Sequence, residues 1–278
     1  MLEFKVNRQT CIKCGQCVAD CPALIIAMKE GTPFIEPEKE ATCYRCQHCL
    51  AICPTGSISI LGLDPEKSLA MAGKLPDADQ MELLIKGRRA VRHYKQENLA
   101  PEVLQRLLEV ASYSPTGRNS RQIRFTVVDD RAKLEKLREE VMDGLGRIVR
   151  EKSLPAGMEF FNDIYKAWEE QGIDVLFRGA PHLLVTSAPS DIAAPVQDCL
   201  IAMTTFELFA QSLGVGTVWN GLAKWAIGNL MPEFRIRLEI PENHIIGYAM
   251  VFGIPAVHYT RTTQRDTALI HRPALIAT

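Results

Sequence analysis

The chain has 278 residues, of which 47% are hydrophobic and 23% charged, with a formal net charge of −1. This is an ordinary globular composition, long enough for one large domain and one small one. The near-zero charge gives no electrostatic case for nucleic acid or an anionic membrane. No run approaches the roughly 18 apolar residues of a membrane span, and nothing resembling a signal peptide precedes the first cysteine, so a reducing cytoplasm is expected.

Residues 1–61 read as a compact module of two repeated halves. Short strands are expected at Leu2–Val6 and Ser57–Leu61, with a hairpin near Ile25–Ile35 that turns at Gly31. Eight of the nine cysteines fall here, as Cys11-Cys14-Cys17-Cys21-Pro22 and, 32 residues on, as Cys43-Cys46-Cys49-Cys53-Pro54. Each copy reads C-x2-C-x2-C-x3-C-P, the run of bacterial two-cluster ferredoxins. Three thiolates wrap a loop around one [4Fe-4S] cube, and the fourth reaches across to the other cube. The expected ligand sets are therefore Cys11, Cys14, Cys17 and Cys53 for one cluster, and Cys43, Cys46, Cys49 and Cys21 for the second. A disulfide framework needs an oxidising compartment, and zinc prefers separated C-x2-C pairs, often with histidine. Both fit the spacing worse. His48 is expected as an exposed loop side chain, and the ninth cysteine, Cys199, as a small buried hydrophobe.

Residues 62–78 carry Gly, Pro, Asp and Lys without periodicity and read as a linker. A helix is expected from Asp79, with Asp79 and Glu82 in capping-box relation and Gly87 ending it. A second helix opens at Pro101, presents Val103, Leu104, Leu107, Leu108 and Ala111 at helical spacing, and stops at Ser114-Pro115. Ile123–Val128 reads as a strand and Arg131–Arg150 as an amphipathic helix. Phe160, Phe161, Tyr165 and Trp168 then stand among charges, read either as ordinary packing or as a lid. His182–Ser187 is a buried strand, Pro195–Leu213 a helix apolar enough to be central or at a subunit interface, Ala223–Leu230 a helix, and His244–Phe252 a strand. Helices and strands alternating after residue 80 indicate an α+β layer with a sheet covered by helices.

From residue 79 to 278 the chain resembles the FMN-dependent nitroreductase family. The resemblance rests on Arg88-Arg89-Ala90-Val91-Arg92, on Ser114-Pro115-Thr116-Gly117-Arg118-Asn119, on Gly179-Ala180-Pro181, on Gly214 to Gly221, and on the Gly253-Ile254-Pro255 exit with a later arginine. It implies FMN contacts from Arg88, Arg89, Ala90 and Arg92, from Pro115, Thr116, Gly117, Asn119 and Arg121, from Gly216, Thr217, Trp219, Asn220 and Gly221, and from Arg261. It also implies a homodimer. The residue types suit the ligand: a phosphate dianion is best held by planar guanidinium donors, a side-chain amide such as Asn119 serves the flavin's pyrimidine edge, and Gly216 and Gly221 allow a close main-chain approach. Two departures stand out. Ala90 replaces the usual serine, removing a hydroxyl, and Arg121-Gln122-Ile123 stands where Gln-Pro-Trp is common, bringing a positive charge toward flavin or substrate. No GxGxxG follows a strand, so no separate dinucleotide domain is expected.

The expected whole is a cytoplasmic oxidoreductase whose two [4Fe-4S] clusters exchange electrons with FMN, which reduces a small organic acceptor such as a nitroaromatic or quinone. The donor is NAD(P)H or an external ferredoxin. An electron-transfer or redox-sensing flavoprotein without organic substrate, and a flavin-modifying or dehalogenating relative, remain open alternatives.

Overall fold

The computed structural model describes residues 1–274; the last residues of the expected second domain, 275–278, lie outside the described part. In the N-terminal module, β1 (Lys5–Val6), α1 (Gln16–Ala19), β2 (Ile26–Lys29), β3 (Thr32–Ile35), α2 (His48–Ala51) and β4 (Ile58–Ser59) follow one another. β1 pairs antiparallel with β4, and β2 with β3. The Leu2 and Leu61 ends of the expected strands are joined by one bond, Leu61 N–H to the Leu2 carbonyl at 2.6 Å. Glu30 and Gly31 both have positive φ, 51° and 73°, the backbone a two-residue hairpin turn requires.

The repeat is present in the backbone itself. Lys13 and Arg45 (φ 58° and 52°), Gly15 and Gln47 (73° and 63°), and Leu24 and Gly56 (54° and 60°) are left-handed partners, each pair separated by the offset of Cys11 and Cys43. Leu2, Ile25, Ile26, Leu50, Ile58 and Ile60 bury their side chains around Cys17, Cys21 and Cys49. The core of this module is thus as much thiol as hydrocarbon.

Every residue from Glu66 to Leu83 is exposed. Helix α3 (Ala78–Gly87) begins earlier than expected, because the Asp77 carboxylate accepts the Asp79 N–H at 2.8 Å. The expected Asp79–Glu82 capping box does not form, and Glu82 pairs with Lys86 one turn on.

The larger unit continues with α4 (Pro101–Ala111), β5 (Arg124–Val128), α5 (Arg131–Arg150), α6 (Phe161–Gln171), β6 (His182–Pro189), α7 (Pro195–Ser212), β7 (Gly216–Trp219), α8 (Gly221–Trp225), a π-helical turn at Ala226–Leu230, α9 (Glu233–Arg237) and β8 (His244–Gly253). The sheet order is β5-β6-β8-β7, every pair antiparallel. Alternate residues of the central strands point to opposite faces. Leu183, Val185, Ala249 and Val251 meet Leu134, Val141 and Leu145 of α5 and Phe161 of α6. Leu184, Met250 and Phe252 meet Leu107 and Ala111 of α4 and Met203 and Phe206 of α7. This is the expected α+β layer, with helices on both faces of the sheet.

Helix α6 resolves the aromatic stretch in favour of packing: Phe161 and Tyr165 are buried, Trp168 packs on the same core, and Phe160 stacks on Phe161 with centroids 4.7 Å apart. Helix α6, strand β7 and helix α9 have no counterpart among the expected elements. Cys199 is buried where α7 crosses β8, and a Cβ on Gly247 would collide with it. Burial pushes its thiol up to about 11, so it is an inert packing group.

His182, fully buried at the start of β6, accepts the Leu99 N–H on Nε2 at 2.9 Å, and its Nδ1 has no hydrogen-bond partner among the described residues. Burial holds its pKa below the ordinary value, and the nearby Asp129 and Asp130 offset only part of that. The unfolded chain therefore takes up this proton first as pH falls. The stabilisation is complete above about pH 6.5 and is lost as pH drops toward the depressed folded value. Urea unfolding across pH 7.5 to 5 is expected to show this slope, and His182→Gln to flatten it; an equal slope in both would remove His182 as its source.

Candidate functional site

Two small cavities, each of about 20 Å³, lie in the N-terminal module. Cys11, Cys14, Cys17 and Cys53 line the first. Cys21, Cys43, Cys46 and Cys49 line the second. The fourth cysteine of each run thus lines the cavity of the other run. Short loops with left-handed residues at 13, 15, 45 and 47 fold each C-x2-C-x2-C run back on itself.

No cysteine among the described residues is in a disulfide, and no three His, Cys, Asp or Glu groups there close on a single ion. The thiols gather in two sets of four, the number of donors that one [4Fe-4S] cluster takes. Burial raises the Cys17 thiol and pushes Cys49 up to about 12. Burial also acts to raise Cys53, but backbone and hydroxyl donors at Ser57 and Thr55 outweigh it and lower that thiol. The Ser57 N–H lies 3.2 Å from Cys53 Sγ and the Arg45 N–H 3.4 Å from Cys43 Sγ. Such donors stabilise sulfur-borne negative charge. His48 is exposed as expected but opens helix α2 rather than standing in a loop, and its Nδ1 lies 3.3 Å from an Asp20 carboxylate oxygen, joining α2 to the end of α1.

In the larger unit, residues 88–92 run beside β7, with the Val91 N–H bonded to the Thr217 carbonyl at 2.9 Å. The tail after β8 returns along the same segment. Lys95 N–H bonds to Ile254 O, Ala256 N–H to His93 O, and the Arg89 guanidinium to Thr263 Oγ1 at 2.6 Å. The tail that carries Arg261 thereby runs beside the segment of Arg89, Ala90 and Arg92. Among the described residues none of these three arginines has a carboxylate partner.

Arg88 departs from expectation. Its guanidinium turns inward to Glu207 of α7 at 3.0 Å, and Thr217 Oγ1 donates to the same carboxylate at 3.4 Å. Glu207 is 5% exposed, so the pair is an internal brace rather than a free phosphate clamp.

The glycines are also used differently. A Cβ on Gly216 would lie 2.7 Å from Val91, and one on Gly221 2.9 Å from Tyr248 Oη. Their small size serves protein packing. Asn220 spends its amide on Leu176 O at 2.8 Å and its carbonyl on the Ala223 N–H at 2.8 Å, capping α8. Trp219 meets Tyr248 edge-on at 5.2 Å. Thr217 and Asn220 thus spend their side chains within the unit.

The loop after α4 is strained. Arg118, Asn119 and Arg121 have φ of 54°, 54° and 49°, a left-handed region that costs non-glycine residues energy and clusters at functional sites. Buried Asp198 of α7, 2% exposed, accepts the Gly117 N–H at 2.9 Å and the Ser120 hydroxyl at 3.4 Å. Thr116 Oγ1 accepts the Arg121 N–H at 3.0 Å. Pro115 and Arg121 are exposed. The amide of Asn119 is directed at the N-terminal module, donating to the Tyr44 carbonyl at 2.9 Å. Asp198, Glu207 and Tyr44 were not anticipated; acids within so apolar a helix were the available signal, because buried charges need partners.

Residues 85–254 match the nitroreductase family, and residues 10–58 match a 4Fe-4S dicluster domain. The chain belongs to the nitroreductase family. A relative provisionally named NADH dehydrogenase/NAD(P)H nitroreductase, from Methanothermobacter thermautotrophicus, is 28% identical over 66% of this chain and 81% of its own. A nitroreductase with bound FMN from Desulfitobacterium hafniense is 27% identical over 72% of this chain and all of its own, with a TM-score of 0.55. One from Bacteroides fragilis, at 23% identity and a TM-score of 0.56 over 69% of this chain and 99% of its own, has the same fold. In this nitroreductase, then, the motifs frame two kinds of residue: inward acids that brace the site loops, and arginines that have no carboxylate partner among the described residues.

Proposed function

We propose that this nitroreductase holds FMN and two [4Fe-4S] clusters on one chain and reduces a small organic acceptor such as a nitroaromatic or quinone. The observation that carries the reading is the pair of four-thiol cavities fused to a nitroreductase unit. Bound FMN accepts electrons singly or in pairs and so links one-electron clusters to two-electron organic chemistry.

The residues divide the work as follows. Cys11, Cys14, Cys17 and Cys53 hold one cluster, and Cys21, Cys43, Cys46 and Cys49 the other, in a unit spanning 1–61 with a linker to 78. Arg89, Arg92 and Arg261 supply guanidinium donors for the flavin phosphate in the unit from 79 onward, where an anion is needed to balance them. The braced 115–121 loop presents Arg121 on its exposed side. Electrons arrive from NAD(P)H or an external ferredoxin. A cytoplasmic homodimer accounts for Met81, Leu83 and Ile85 of α3 and Ile201 of α7, all exposed at 39% or more, an apolar surface suited to a second subunit.

The test is an anaerobic visible spectrum of the purified protein with iron, sulfide and FMN analysis, followed by separate additions of NADH, NADPH and reduced ferredoxin. Flavin and cluster bands that bleach with one of these donors and recover on adding a quinone support the reading. A protein carrying flavin but no iron, or iron but no flavin, contradicts it.

A further inference from the structure

The bond from Asn119 to Tyr44 is, among the described residues, the one hydrogen bond or ion pair between residues 1–61 and the larger unit. It is placed with some care. Tyr44 immediately follows Cys43 and lines the second thiol cavity. Asn119 is at the apex of the strained loop that Asp198 holds from beneath. Of the two cysteine sets, only that of Cys21, Cys43, Cys46 and Cys49 is thus tied to the reductase; the Cys11–Cys17 loop has no such tie and leaves Ile12 and Cys14 exposed.

We propose that Asn119 is a positioning residue that docks the Cys43–Cys46 loop on the flavin-bearing unit, which makes the second cysteine set the inner relay station and the first set the outer one, open to an external one-electron carrier. This rests on the proposed presence of both clusters and FMN. When the reduced protein meets a quinone, each reduced cluster gives up one electron, and two electrons with two solvent protons convert the quinone to its quinol. Electrons from the outer cluster pass through the inner one.

Asn119→Gly keeps a backbone at ease with φ of 54° and deletes only the amide. With iron and FMN contents measured first, stopped-flow reoxidation of the dithionite-reduced clusters by a quinone is expected to slow about fivefold in Asn119→Gly, the effect of one lost hydrogen bond on the docked population. Hydrogen exchange at residues 44–47 is expected to rise in the same variant, while residues 12–16 exchange as before. Cys46→Ala is expected to leave the outer cluster stranded in the reduced state, whereas in Cys14→Ala the inner cluster still reoxidises. Unchanged reoxidation and exchange in Asn119→Gly, or the opposite order in the cysteine variants, overturns the proposal. Absence of the clusters or of FMN from the purified chain overturns instead the reading on which it rests.

Discussion

Cys53→Ala is expected to empty the site of Cys11, Cys14 and Cys17 and to leave its own sequence neighbours, Cys43, Cys46 and Cys49, loaded. The reason is geometric: Cys53 lines the first cavity and Cys21 the second. Because metal binding is coupled to the folding of such a small module, loss of one thiolate should remove a whole cube rather than one iron. Iron analysis is expected to fall by about half, the share of one of two four-iron clusters. Electron paramagnetic resonance of the reduced protein should then show a single uncoupled cluster. Cys21→Ala should give the mirror result. Retention of the first site in Cys53→Ala with loss of the second would mean that the runs do not cross.

Glu207→Ala should destabilise the larger unit by about 3 kcal/mol, the low end for removing one partner of a buried ion pair, since Arg88 is partly open to water. The carboxylate accepts from both Arg88 and Thr217 and ties α7 to the 88–92 segment and β7. Urea unfolding of the holoprotein gives the magnitude. The double variant with Arg88→Ala should be less destabilised than the sum of the two single changes, because neither charge is then left buried alone. A loss within about 0.5 kcal/mol, the range of an ordinary surface substitution, would show that the pair braces nothing.

The parts of this molecule that announce themselves in sequence are those where the physics is local. Cysteine spacing fixes which thiols share a loop, and the crossing of Cys21 and Cys53 follows from it. Helices α4, α5 and α7 are long and periodic, and the sheet strands β5, β6 and β8 are runs of β-branched and apolar residues. β7 escaped notice because Gly216–Trp219 is four residues fenced by glycines, and α6 because its aromatic face is interleaved with charges. Site residues were legible as positions but not as contacts. Arg88 fits a phosphate-binding run, yet Glu207, 119 residues away, takes its guanidinium. Asn119 carries the amide a flavin edge would use, yet the fold turns it to Tyr44 across 75 residues. Gly216 and Gly221 lack a Cβ where Val91 and Tyr248 come close, a packing need that spacing does not reveal. Each of these contacts is with a partner distant in the chain, which spacing along the sequence does not contain.

The most direct test of the central claim is an anaerobic coulometric titration of the purified protein. One electron per [4Fe-4S] cluster and two for FMN predict about four electrons per chain, with the iron and flavin bands bleaching in the same titration. Uptake of about two electrons, all in the flavin band, would contradict the account and leave an ordinary flavin nitroreductase with an idle cysteine module.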